Sequence, residues 1–238
     1  MIKITNNFFI AALLVSLISC GSLGVEGGSG GPKTPEGFRV INAARNSGSV
    51  RVDLGEDAPF FVDANGASAY VQPQNGKVVL NVTTEDDIAP TITEEIEIKS
   101  GEYYTYLVYD EEDATSGITT TKGVLLTDDL EAPVGDKLKL QVINAAYATA
   151  AVDVFIERSG ESFSDSSVGF SGVAFKAASD FISIPAGDYK FRFTETGVTQ
   201  KIVDVSSQEF NSGSIVTLVL FQKSKKSSAQ YFGTAFVY

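Results

Sequence analysis

The sequence predicts an all-β protein built as two tandem antiparallel β-sandwiches, and three observations predict it. From Phe38 onward apolar residues alternate with polar ones at the period of a half-buried strand, and no stretch carries the helical period. Turn signals separate the alternating runs: Asn65-Gly66, Gln74-Asn75-Gly76, Ser100-Gly101 and Ala186-Gly187-Asp188. Finally, Val40-Ile41-Asn42-Ala43-Ala44 returns unchanged as Val142-Ile143-Asn144-Ala145-Ala146. That separation, about a hundred residues, suits one sandwich domain of the immunoglobulin-like kind.

The chain opens on a short polar start carrying Lys3, followed by the apolar run Phe8 to Ile18 (FFIAALLVSLI), too short for a stable membrane anchor. A charged start, a short apolar stretch and small residues at its end make a secretory signal peptide. Its close, Leu17-Ile18-Ser19-Cys20, resembles the bacterial lipobox. That resemblance implies diacylglycerol on the Cys20 thiol and cleavage that leaves Cys20 as the first mature residue. By the sorting rules of Gram-negative lipoproteins, Gly21 rather than Asp after the cysteine implies the outer membrane, its periplasmic or outer face left open. Gly21 to Gly37 (GSLGVEGGSGGPKTPEG) is too poor in apolar residues to offset the entropy of ordering and reads as a flexible tether.

Three runs carry the strand period most plainly: Val50, Val52 and Leu54 around Arg51 and Asp53; Val78, Leu80 and Val82 around Val79 and Asn81; Tyr189, Phe191 and Phe193 around Lys190 and Arg192. The last three aromatic residues should pack inward. Further matches keep the order of the repeat. Val50-Arg51-Val52-Asp53 aligns with Val152-Asp153-Val154-Phe155, Ser68 to Val82 with Ser179 to Phe193 (Gly76 over Gly187), and Ser100-Gly101 before Tyr103 to Val108 with Ser212-Gly213 before Ile215 to Leu220. The expected organisation is signal peptide 1–19, lipidated tether 20–37, first and more divergent sandwich 38–128, hinge 129–137 and second sandwich 138–238. If that hinge permits independent folding, a destabilising change in the second sandwich should leave the first largely unaffected.

Composition excludes several chemistries. There is no histidine, which removes the commonest general base and the commonest ligand for zinc, copper and iron. Cys20 is the single cysteine, so the folded region forms no disulfide. Only oxygen ligands remain for a metal, hence calcium or magnesium. The net charge of −12 argues against nucleic acid and against electrostatic docking on anionic lipid, leaving the lipid chains to anchor. Neither a phosphate loop nor a Ser-x-x-Lys or G-x-S-x-G motif occurs.

The second copy resembles domain-of-unknown-function family 4397, a bacterial domain of exported proteins that often occurs in tandem. The residues that carry the resemblance are Val142 to Ala145, Val152-Asp153-Val154-Phe155, Ile184-Pro185-Ala186-Gly187-Asp188-Tyr189 and Gly213 to Leu218. It covers most of Leu138 to Phe221 and thins in the first copy, where Pro73-Gln74-Asn75-Gly76 replaces the Pro-Ala-Gly turn. The resemblance implies a β-sandwich and brings no catalytic residues. Where many members carry histidine, this chain has Asn42 and Asn144.

Candidate site residues are few. Asn42 and Asn144 are either a repeated ligand contact or asparagines that bond neighbouring backbone where a strand turns. Tyr103, Tyr104, Tyr106 and Tyr109 place tyrosine on both faces of one strand. One face should be core, and the other, with Tyr104 and Tyr106 as the candidate ligand contacts, is a sugar-stacking platform or a structural surface. The acidic run Asp110-Glu111-Glu112-Asp113, with Asp86-Asp87 and Glu94-Glu95, is a calcium site or a set of solvated turns, and the D-x-D-x-D-G pattern is missing. The expectation is a non-enzymatic, lipid-anchored envelope protein whose sandwiches serve binding, adhesion or surface structure. The alternative is a carbohydrate-binding surface lipoprotein, assisted by calcium. No catalytic residue, metal or cofactor is expected. The expected partners are the membrane, through the lipid, and a protein or glycan of the envelope.

Overall fold

The computed structural model describes residues 37–113, 115–162, 167–223 and 231–238. The signal peptide, Cys20 and the tether up to residue 36 lie outside the described residues. Every regular element among the described residues is a strand. The first half holds β1 (Gly37–Ala43), β2 (Val50–Leu54), β3 (Phe60–Val62), β4 (Gly76–Thr84), β5 (Ile92–Ile98), β6 (Tyr103–Glu112) and β7 (Thr119–Asp128). The second holds β8 (Lys137–Ala145), β9 (Ala151–Arg158), β10 (Ser167–Ala174), β11 (Ile182–Pro185), β12 (Gly187–Glu195), β13 (Lys201–Phe210), β14 (Ile215–Gln222) and β15 (Tyr231–Val237).

Each half is a sandwich of two sheets. In the first, β3-β2-β4-β5 faces β1-β6-β7; in the second, β10-β9-β12-β13 faces β11-β8-β14-β15. Pairing is antiparallel except in one place per half: β6 runs parallel to β1, with Val40 beside Tyr106, and β14 runs parallel to β8, with Val142 beside Leu218. The aligned repeat positions coincide in detail. Ser68 Oγ accepts the N–H of Val40 and Ser179 Oγ that of Val142, each at 3.0 Å. Gly101 and Gly213 precede β6 and β14 with φ of 79° and 85°, a left-handed turn that a side chain would strain.

Tyr189, Phe191 and Phe193 point into the second core beside Leu138, Leu140 and Phe210, as their alternation predicts. The first core gathers Phe38, Val40, Val52, Leu80, Val82 and Ile96 with Tyr104 and Tyr106. A third core lies between the halves. Ile41, Ala43, Leu107 and Tyr109 on the back of β1 and β6 meet Ile143, Ala145, Val219 and Phe221 on the back of β8 and β14. The sheets β1-β6-β7 and β11-β8-β14-β15 are therefore covered on both faces, and the sheets stack four deep. The hinge therefore does not hold the halves apart: they pack on one another. Strand β7 ends at Asp128 and β8 starts at Lys137, but the strands on either side of that connection share a core.

Polar groups close this interface at both ends. At one end the Arg39 guanidinium is wholly buried. Its Nε donates to Thr105 Oγ1 at 2.6 Å, its Nη2 donates to Thr217 Oγ1 of the other half at 3.1 Å, and it lies 3.8 Å from Asp128. The rings of Tyr70 and Tyr238 flank it at 4.9 and 4.3 Å. Burial pushes the Asp128 carboxyl above its ordinary value, against the opposing pull of Arg39, Thr105 and Tyr70. At the other end Lys176 pairs with Glu111 at 3.4 Å, and the Tyr147 hydroxyl donates to the Glu112 carbonyl at 2.7 Å.

A buried ion pair costs most when it is broken on one side only. Arg39→Ala, which leaves Asp128 buried without its cation, should destabilise the protein by about 3–5 kcal/mol in urea unfolding. Replacing both partners with apolar residues of similar volume should cost far less. Equal losses in the two variants would contradict this role for the pair.

Candidate functional site

The asparagines are latches for their own loops. Asn42 Nδ2 donates to the carbonyls of Gly48 (2.9 Å) and Val62 (3.1 Å), and its Oδ1 accepts the N–H of Ala44. Asn144 Nδ2 donates to the Val173 carbonyl at 3.1 Å, and its Oδ1 accepts from the Ala146 N–H and the Thr149 hydroxyl. Both side chains are completely buried. Of the two readings of Asn42 and Asn144, the geometry is that of the second, with the ligand contact left no free arm: an amide offers donor and acceptor on one short arm, and here both are used internally.

The platform reading of the tyrosine strand is corrected. Tyr103, Tyr104, Tyr106 and Tyr109 are all buried. Tyr104 and Tyr106 face the first core, and Tyr109 faces the third. The Tyr104 hydroxyl donates to Glu102 at 2.5 Å. Tyr106 reaches across β7 to donate to Glu94 at 2.9 Å, and passes so close to Gly123 that a Cβ there would sit 1.9 Å from its oxygen. Because β6 is covered on both sides, it offers no ring as a platform.

The acidic run is spent on local pairing. Buried Asp110 accepts from the Thr121 hydroxyl and the Asn46 N–H, Glu111 pairs with Lys122 and Lys176, Glu112 with Arg45, and Asp113 accepts from Ser116. Among the described residues no three His, Cys, Asp or Glu groups come together as a metal site.

A cleft with exposed apolar groups lies on the outer sheet of the first half. Register sets Phe61 of β3, Arg51 of β2 and Thr83 of β4 side by side across that sheet. With Ser49, Glu85 and Ile88 they line a cleft of about 400 Å³. Phe61 is 68% exposed and Ile88 is fully exposed, two large apolar side chains standing in water. The loop after β4 is fixed rather than loose. Asp87 Oδ2 accepts from the hydroxyls of Thr84 (2.6 Å) and Thr91 (2.7 Å), and Glu85 Oε2 accepts the Ser49 N–H at 3.2 Å. Those two threonine hydroxyls hold the Asp87 carboxyl below its ordinary value. Arg51 is paired with Asp53 at 2.6 Å.

At the equivalent position of the second half a carboxylate bonds the neighbouring loops. Asp153, aligned with Arg51, accepts from Ser171 Oγ, the Gly172 N–H and Thr196 Oγ1 on Oδ1 and from the Gly197 N–H on Oδ2. One carboxylate thus ties the β10 bulge to the β12–β13 turn. Sequence reasoning aligned Arg51 with Asp153 without drawing this difference. Two signals for the cleft were present: Phe60-Phe61 are adjacent in a strand, so one ring must face outward, and Ile88 stands in an otherwise polar loop.

Burial works to raise the Asp153 carboxyl, and its four hydrogen bonds outweigh burial and hold it below its ordinary value. A depressed carboxyl lends stability that is present above its unfolded value, about pH 3.9, and is lost as pH falls through the lower folded value. Asp153→Asn should therefore destabilise the protein at neutral pH and matter much less in strong acid. Equal destabilisation at both, in denaturant titrations, would contradict the assignment.

The family model described as Domain of unknown function (DUF4397) matches residues 37–155, from β1 into β9. The match lies on the first half and the opening of the second, which corrects the placing of the resemblance mainly on Leu138 to Phe221; 138–155 is common to both. The first half departs at the turn before β4, and a turn can change while the strands it joins keep their pattern. No curated protein matches the chain. Among solved structures the chain is similar to the multi-modular glycogen-degrading pneumococcal virulence factor SpuA, at 10% identity over 79% of this chain and 21% of that one, with a TM-score of 0.27. It is similar to the Bacillus anthracis TIE protein at 11% identity over 77% of this chain and 50% of that one, TM-score 0.26. A third, a streptococcal virulence factor solved for its alpha-glucan binding, shows 12% identity over 78% and 93%, TM-score 0.25. The chain thus spans about a fifth of the first and half of the second, and likeness at these scores transfers no ligand. With half of its length matched from the first strand onward, the chain belongs to the family described as Domain of unknown function (DUF4397).

Proposed function

We propose that the protein is a non-enzymatic, lipid-anchored protein of the cell envelope that binds a partner through the outer sheet of its first half. The carrying observation is the cleft beside Phe61 and Ile88, where two large apolar side chains are held exposed next to fixed polar groups. Exposed apolar groups on a rigid scaffold are the usual makings of a contact surface. The Leu17-Ile18-Ser19-Cys20 lipobox and Gly21 support an outer-membrane anchor at Cys20. In this reading the stacked sheets form a stiff body that carries the cleft away from the membrane, and binding, adhesion or surface structure is its task.

Two measurements test this. Metabolic labelling with a fatty acid should mark the wild-type chain and not Cys20→Ala; equal label would end the anchor. A photo-reactive residue placed at position 61 or 88 in cells should give a covalent adduct, whereas one at position 97, on the far edge of the same sheet, should give none. Adducts at all three positions, or at none, would remove the cleft from the function.

A further inference from the structure

The two halves share their strands, their serine bonds and their asparagine latches, so a position where they part is informative. Asp153 ties two loops of one copy together with four hydrogen bonds. Arg51 stands in its place in the other, and the neighbouring loop turns outward with Ile88 at its tip. Resting on the reading just given, we infer that the open cleft takes a basic peptide segment carrying an aromatic or branched aliphatic side chain.

The apolar half of that ligand follows from Phe61 and Ile88, which gain from burial only against another apolar group. Neither contributes to the core in the free protein, so both are available. The basic half follows from charge. The loop beside the cleft reads Glu85-Asp86-Asp87, and the cation in the lining, Arg51, is already paired with Asp53. The field at the mouth of the cleft is negative within a chain of net charge −12, which draws cations and repels anions. A neutral sugar gains little from that field. Glu85 Oε2 accepts the Ser49 N–H and Asp87 Oδ2 two threonine hydroxyls, which holds both carboxylates in place beside the cleft. Bonds to neutral donors leave both carboxylates charged, and that negative charge attracts Lys or Arg.

The chain has no tryptophan, so a tryptophan in the ligand can be read alone. The full chain in non-ionic detergent would be titrated into a short peptide of several lysines around one tryptophan. Parallel titrations would use the same peptide with glutamate for lysine, and a panel of neutral oligosaccharides. The lysine peptide should bind with a blue-shifted emission, at least about tenfold tighter than the glutamate peptide, and weaken at about 0.5 M salt. Phe61→Ser with Ile88→Ser should weaken it about tenfold or more, and Asp86→Asn should weaken it and reduce its salt dependence. Both changes are at exposed side chains, and an unaltered far-UV spectrum would show the fold intact. Absence of lysine-peptide binding, equal binding of the glutamate peptide, or indifference to the Phe61 and Ile88 changes would overturn the inference. Oligosaccharide binding lost in Phe61→Ser, with no lysine-peptide binding, would also overturn it while leaving the cleft as the site. If the in-cell adducts at 61 and 88 fail as well, the underlying reading falls with it.

Discussion

Burial of both faces of β1, β6, β8 and β14 is the constraint from which the rest of this structure follows. Each of these strands faces its own sandwich core on one side and the shared core on the other. A strand covered twice cannot alternate, and β6 (YYTYLVYDEE) and β14 (IVTLVLFQ) read instead as near-continuous apolar runs. The two parallel pairings, β1 with β6 and β8 with β14, lie in this doubly covered middle, where parallel strands are ordinarily found.

The same constraint decides where function can reside. With the inner sheets hidden, the surfaces left for a partner are the outer sheets, the strand edges and the loops. The first outer sheet carries Phe61 and Arg51, and its neighbouring loop carries Ile88. At the equivalent position of the second, Asp153 bonds the loops together. The two copies of one scaffold thus differ at a single position in β2 and β9 and in the loop that follows β4.

Local pattern made much of the fold legible. The alternation in Val50 to Leu54, Val78 to Val82 and Tyr189 to Phe193 places β2, β4 and β12, and the repeat places their partners through Ser68 and Ser179, Gly101 and Gly213. The contact between the halves was not legible in the same way, because sheet stacking joins residues such as Ile41 and Val219 that no local period links. That blind spot accounts for Tyr109, which the sheet of the other half covers, whereas the candidate contacts Tyr104 and Tyr106 are the strand's own core face. The asparagines were open to two readings for a different reason, since a short polar side chain after a strand has the same sequence signature whether it serves a ligand or its own loop. The cleft was half visible, in Phe60-Phe61 and in Ile88, but its meaning depends on the comparison of Arg51 with Asp153 in three dimensions.

The central claim is that the shared core makes the two halves one cooperative body, and hydrogen exchange on a Phe191→Ala variant tests it most directly. Phe191 lies in the second core, away from the interface, and its loss should cost about 3–5 kcal/mol. If the halves are one unit, the slowest amides of β2 and β4 in the first half should lose protection by the same free energy as those of β9 and β12. If protection in β2 and β4 is unchanged while β9 and β12 open, the halves fold separately and the account is wrong.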